Sequence, residues 1–138
     1  MTLSSRRLEL LTQPEVARQL KSNPLVILPA GSIEQHGPHL PAGTDIFAAN
    51  LITEHVAEKM NGLVIPGGPL GVKPFHMPFE ATITLSHETY IRVVYETCKS
   101  LAQHGAKQLI LLNWHEGNSS SLAIAAERLH RECGLSVL

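Results

Sequence analysis

The 138-residue sequence is poor in several things at once. Only 4% of its residues are aromatic and 17% charged, and 11 Lys and Arg nearly cancel 12 Asp and Glu to a net charge of -1. Without a block of Lys or Arg, the chain lacks the electrostatic footprint of a nucleic-acid binder. No apolar run approaches the ~18 residues of a membrane helix, and Arg6 and Arg7 are not followed by the apolar segment of a secretory signal. The expectation is a cytoplasmic protein with a small-molecule substrate, no nucleic acid and no membrane partner. Its two cysteines, Cys98 and Cys133, fall outside any CxxC pattern and read as reduced core residues, not as a disulfide or a zinc knuckle. What the chain does have is apolar content, 43% of residues, enough for one core at this length and against disorder as the main state. It also has eight histidines against six Phe, Trp and Tyr together. Histidine binds metals and moves protons near neutral pH.

The punctuation of the chain predicts alternating helices and strands. Thr12-Gln13-Pro14-Glu15 caps a short helix running to about Lys21. Leu25-Val26-Ile27-Leu28-Pro29 is apolar without alternation, as in a strand buried on both faces of a parallel sheet. After a polar loop from Gly31 to Gly43, Thr44 caps an amphipathic helix carrying Ile46, Ala49, Ile52, Val56 and Met60 and ending at Asn61-Gly62. Leu63-Val64-Ile65 reads as a second strand, and residues 66 to 80 as a Pro- and Gly-rich loop long enough to be functional. Thr82 to Leu85 reads as a short extended piece. Ser86 caps a helix with Ile91, Val94, Cys98 and Leu101 on its core face, closed by Gly105. Gln108-Leu109-Ile110-Leu111-Leu112 is a third buried strand, followed by a tight loop from Asn113 to Asn118. The last helix carries Leu122, Ala125, Ala126, Leu129 and Cys133, and Leu135 to Leu138 begin a fourth strand. This order implies an α/β fold, a three-layer α/β/α sandwich with a mostly parallel sheet.

Ligands of such sheets bind in loops beyond the carboxyl ends of the strands. Two loops there are rich in chemistry: GSIEQHGPHLPAGTD (Gly31 to Asp45) and NWHEGN (Asn113 to Asn118). Glu34 and His36 have i, i+2 spacing, so in an extended segment both side chains leave the same face. Asp45 opens a helix, where the backbone dipole favours an ionised carboxylate whose two oxygens can bridge two cations. His115 arrives from another strand. Imidazole and carboxylate ligation without thiolates suits Zn, Mn or Fe(II), and two such ions about 3.5 to 4 Å apart generate a hydroxide nucleophile and polarise a carbonyl. His39 in the first loop, His76 in the Pro- and Gly-rich loop and Glu116 beside His115 are candidates for an outer shell or substrate contact. His55, His87, His104 and His130 lie on helices or at their ends and are read as facing solvent. GGPLG, after the second strand, is not GxGxxG and has no helix behind it, against a nucleotide-binding module.

The two motifs, with FEATITLS (Phe79 to Ser86) and the segment from His104 to Asn118, resemble the creatininase (creatinine amidohydrolase) family over roughly residues 25 to 138. The resemblance implies an α/β sandwich, a dinuclear metal centre, hydrolysis of C-N bonds and a homo-oligomer, typically a hexamer. Carried over residue by residue, it implies that Glu34 and His115 hold one metal, His36 the other, and Asp45 bridges them. Zn and/or Mn, with Fe possible, is then expected at one or two ions per chain. Glu34, Asp45 and His115 become the catalytic set, acting on a cyclic amide or a formamide through a metal-bound hydroxide.

Departures from the family pattern define the alternative. Gly117 stands where creatininase itself has a glutamate, with Glu116 one residue early, and this argues against creatinine as substrate. Trp114 replaces a glycine, and Glu80-Ala81 replace the more usual Pro-Gly. The chain also lacks the later segment that resembles H-A-G-x-x-E-T-S in much of the family, and with it the expected catalytic histidine. The expectation is therefore a single creatininase-like domain over residues 1 to 138 lacking the family's C-terminal part. Its competing reading is a truncated, non-catalytic member that binds a metal and oligomerises.

Overall fold

A computed structural model describes residues 3–138. Four parallel strands form one sheet in the order β2-β1-β3-β4. Strand β1 (Leu25–Ala30) is buried along its whole length, as its unbroken apolar run requires of a central strand. It pairs on one side with β2 (Leu63–Val64) and on the other with β3 (Gln108–Asn113), residue for residue from Leu25 opposite Gln108 to Ala30 opposite Asn113. Strand β4 (Ser136–Val137) adds to the outer side of β3. Pro29 brings no N–H to this central strand, but it comes after the last residue of β1 that pairs with β2, Ile27.

Helices cover both faces, giving the expected three layers. Strand residues alternate between them: Val26, Leu28 and Leu109 pack with α1 (Gln13–Ser22), α3 (His87–Gln103) and α4 (Ser119–Cys133), while Leu25, Ile27 and Val64 pack with α2 (Thr44–Met60). The face with three helices holds most of the core, including Tyr90, Val94, Cys98, Leu122 and Leu129. On the α2 face, Ile110 and Leu112 are only partly buried. Tyr95 joins α3 to α4 by donating its hydroxyl to Glu132 Oε2 at 2.6 Å, with the Arg128 guanidinium 4.1 Å above its ring. Among the described residues no helix is long and apolar enough to cross a membrane.

The helix ends follow the sequence closely. Thr12 and Glu15 form a reciprocal capping box on α1, and Ser86 Oγ accepts the Thr89 N–H at the start of α3. At α2 the cap falls one residue earlier than expected, on Gly43. Thr44 belongs to the helix instead, and its hydroxyl donates to the Pro41 carbonyl at 2.7 Å where a capping side chain would accept an N–H. Strand β2 stops at Val64, although the Ile65 N–H still donates to Ile27 O at 3.0 Å. The stretch expected as an unbroken loop from 66 to 80 contains a 3-10 turn at Pro74–His76, and a second such turn, at Leu8–Leu10, precedes α1.

Both cysteines are free thiols. Burial, and then the neighbouring Cys133, push the Cys98 thiol up to about 12. A neutral, buried thiol is a poor nucleophile. Iodoacetamide at pH 8 is therefore expected to label Cys133 in the native protein and Cys98 only after unfolding; equal labelling of both in a native-state mass spectrum would contradict this.

Candidate metal centre

Because β1 and β3 are adjacent and parallel, the loops that leave them emerge side by side. After β1 the chain passes hard against the start of α2: a Cβ on Gly31 would stand 2.6 Å from Ile46 Cα. Only glycine permits this approach, which brings Glu34 and the first turn of α2, with Asp45, to one place. Beyond β3, His115 reaches the same place from the other loop.

Two further segments close around them. The Ile83 N–H donates to Ile33 O at 3.0 Å, and Thr84 Oγ1 accepts the Lys73 N–H at 2.7 Å, so the expected extended piece at 82 to 85 joins the first loop to the Pro- and Gly-rich one. Asn118, fully buried, accepts the Val72 N–H on Oδ1 at 2.9 Å and donates from Nδ2 to Gly31 O at 3.0 Å. It fastens three loops with one side chain.

Glu34, Asp45 and His115 are each at most 7% exposed, and one ligand atom from each lies within 4.8 Å of the others. His115 Nδ1 is 2.8 Å from Asp45 Oδ2 and 3.5 Å from Glu34 Oε1. Its Nε2 is 3.1 Å from Val72 O, so we assign the ring proton to Nε2, donating to that carbonyl. His36 repeats the pattern: Nδ1 donates to Glu34 O at 3.1 Å, and Nε2 lies 3.2 Å from Asp45 Oδ1. Each imidazole is thus anchored on a backbone carbonyl and presents its other nitrogen to a different oxygen of Asp45. That is how ligating histidines are held in metal sites.

The donor set fits a divalent cation on a second count. Buried carboxylates demand pairing or metal coordination. Glu34 Oε2 is buried with no hydrogen bond, although His76 Nδ1 comes within 3.0 Å and Lys73 Nζ within 3.5 Å. The His76 approach is close but misaligned, since its Nδ1 also lacks a hydrogen bond.

Among the seven residues singled out from the sequence, the fold brings five together: Glu34, His36, Asp45, His115 and, through Glu34, His76. His39 is exposed and lies against Gly37. Glu116 opens a 3-10 turn at Glu116–Asn118, is exposed, and makes no ion pair among the described residues; His115 is oriented by Val72 O instead. Of the histidines read as facing solvent, all four are exposed, though His87 Nδ1 lies 2.7 Å from Ser121 Oγ and His130 Nδ1 2.9 Å from Leu135 O. Sequence reasoning missed Asn118 and Lys73. Asn118 ends the NWHEGN run, so its nearness to His115 was available; Lys73 carried no signal, since its role depends on how its loop folds back.

Gly117 is closed to any side chain. A Cβ there would meet Val72 O at 2.2 Å and His115 Nε2 at 2.7 Å. A side chain at this position would therefore have to shift the carbonyl that orients His115.

Asn118→Ala is expected to strand the buried Val72 N–H and Gly31 C=O and to cost about 3 kcal/mol in urea unfolding. An unchanged unfolding midpoint would show that the three loops hold without it.

Comparison with known proteins agrees with this architecture. The family model Creatininase, described as creatinine amidohydrolase, matches residues 9–138. The creatinine amidohydrolase of Pseudomonas putida is 31% identical over 129 residues, covering 90% of this chain and 50% of its own. A mycofactocin precursor peptide peptidase of Mycobacterium ulcerans is 34% identical over 118 residues, covering 79% and 47%. Two solved creatininases superpose over most of the chain and 58% of theirs at 29% identity: a mutant of the Zn-Zn type over 99% with a TM-score of 0.85, and a manganese form over 98% with 0.86. The chain spans about half the length of the curated relatives it matches. With the family model matched over nearly all of its length, the chain belongs to the creatininase family.

Proposed function

We propose that this chain carries the metal-binding part of a hydrolase that cleaves a C-N bond of an amide, in the finer reading a cyclic amide or a formamide. The observation that carries this is Asp45 set between two carbonyl-anchored histidines, one on each carboxylate oxygen. Glu34, Asp45 and His115 would hold one divalent ion, and His36 with Asp45 a second. Zn or Mn bound there supplies Lewis acidity, which lowers the pKa of water toward ~7 and polarises a carbonyl. The protein's own contribution is orientation. Val72 O and Glu34 O fix the two ring tautomers, the start of α2 favours the Asp45 charge, and burial removes competing water from Glu34 and His115. The relatives differ in what they act on by name, from creatinine to a precursor peptide, so membership of the family leaves the substrate open.

A second reading has its own support. Among the described residues, His36 and Asp45 alone contribute on the His36 side, and Gly117 stands where the resemblance puts the glutamate of creatininase itself, with Val72 O 2.2 Å from a Cβ there. This favours a chain that binds a metal and oligomerises without turning over substrate.

Metal analysis of the purified protein separates the two. The hydrolase reading expects two equivalents per chain and a loss in Asp45→Asn exceeding the about tenfold weakening typical of an outer-shell change. One equivalent or none sinks a self-contained dinuclear site. Turnover of any member of a panel of cyclic amides and formamides would settle catalysis in favour of the first reading.

A homo-oligomer, hexameric by the family resemblance, is part of the proposal. Phe47 and Leu51, one turn apart on α2, are 63% and 70% exposed, an adjacent apolar pair that a contact between subunits would cover. Sedimentation equilibrium is expected to give a mass several times that of one chain; a monomer at micromolar concentration would remove this element.

A further inference from the structure

Glu34 turns its two oxygens toward different neighbours. Oε1 lies 3.5 Å from His115 Nδ1, inside the cluster with Asp45. Oε2 faces Lys73 Nζ at 3.5 Å and His76 Nδ1 at 3.0 Å, and it is the buried oxygen that has no hydrogen bond. Lys73 is not a surface lysine passing by. Its side chain is only 19% exposed, its N–H is pinned to Thr84 Oγ1, and the preceding residue, Val72, is held by Asn118 on its N–H and by His115 on its carbonyl. The same short segment therefore sets both the His115 ring and the cation beside Glu34. His76 closes the far side, its ring edge-on to Phe79 at a centroid distance of 6.3 Å.

A carboxylate free at both oxygens can bind a divalent cation through one of them or both. The second contact occupies a coordination position, whereas catalytic sites built on three protein ligands keep one open. A lysine charge at Oε2 opposes that second contact. We propose that Lys73 is a positioning residue that keeps Glu34 a one-oxygen ligand, so that a cation held by Glu34, Asp45 and His115 retains a position open to substrate. This rests on the metal-binding reading above and goes beyond it by assigning Lys73 a role.

Cobalt(II) titration followed by visible spectroscopy tests it, because ligand-field bands weaken as coordination number rises and need no substrate. Lys73→Met is expected to lose about half of the visible absorbance per bound cobalt relative to the parent, since coordination geometry sets these bands. Lys73→Arg, which keeps the charge, is expected to restore most of it. Should Lys73→Met fail to fold by circular dichroism, Lys73→Gln is read in the same way. Cobalt bound with the parent's spectrum in the charge-removing variant overturns the proposal, and a lowered melting temperature with an unchanged spectrum reduces Lys73 to a structural ion pair. If the parent takes up no cobalt, the metal reading itself falls, and the role of Lys73 falls with it.

Discussion

Asp45 is a nearly buried carboxylate that two histidines approach from opposite sides, and the surrounding loops are arranged around that requirement. An ionised carboxylate in a poorly hydrated place must be compensated, or its charge is lost. Here the N-terminal end of α2 favours a negative charge, and the two imidazole nitrogens turned to the Asp45 oxygens complete a donor set that a divalent cation would balance. Neither imidazole is free to swing, because each donates its one ring N–H to a backbone carbonyl. The two carbonyls belong to Glu34 and Val72, so the loop after β1 and the Pro- and Gly-rich loop are tied into the geometry of one side chain.

That dependence explains why small residues and a buried amide matter as much as the charged groups. Gly31 lets the chain pass within contact of α2, and without that crossing Asp45 and Glu34 would not meet. Asn118 converts the nearness of three loops into fixed distances through two hydrogen bonds of opposite sense. Fixed distances of this kind are what a site needs if orientation is to be supplied by the scaffold. The sheet beneath gives the reference frame: β1 and β3 are in register over six residue pairs, so their ends cannot slide apart.

The two sides of Asp45 are unequal. On one side Glu34 and His115 complete a three-residue cluster with Asp45; on the other, among the described residues, His36 stands alone. Membership of the creatininase family fits the first side directly. On that second side a Cβ at Gly117 would meet the Val72 carbonyl at 2.2 Å, so a side chain there would require that carbonyl to shift. Glu34 is asymmetric in the same spirit, with one oxygen toward the cluster and the other toward Lys73 and His76.

Much of this was written in the order of residues. Apolar runs without alternation marked β1 and β3, the capping residues Thr12 and Ser86 opened their helices, and the spacing of Glu34, His36, Asp45 and His115 on loops after strands marked residues that the fold brings together. These are local signals, carried by neighbours in the chain. Contacts between distant segments were not legible. Glu116 looked better placed than any other residue to orient His115, yet it faces solvent, because the 3-10 turn points it outward and a carbonyl 43 positions away does the work. Lys73 and Asn118 acquired their roles only when the loop from 66 to 86 folded back over Glu34. Sequence by itself determined which chemical groups are present and on which elements they ride; the tertiary structure decided which of them share a buried space, because that depends on backbone hydrogen bonds and close approaches between segments that no local pattern encodes.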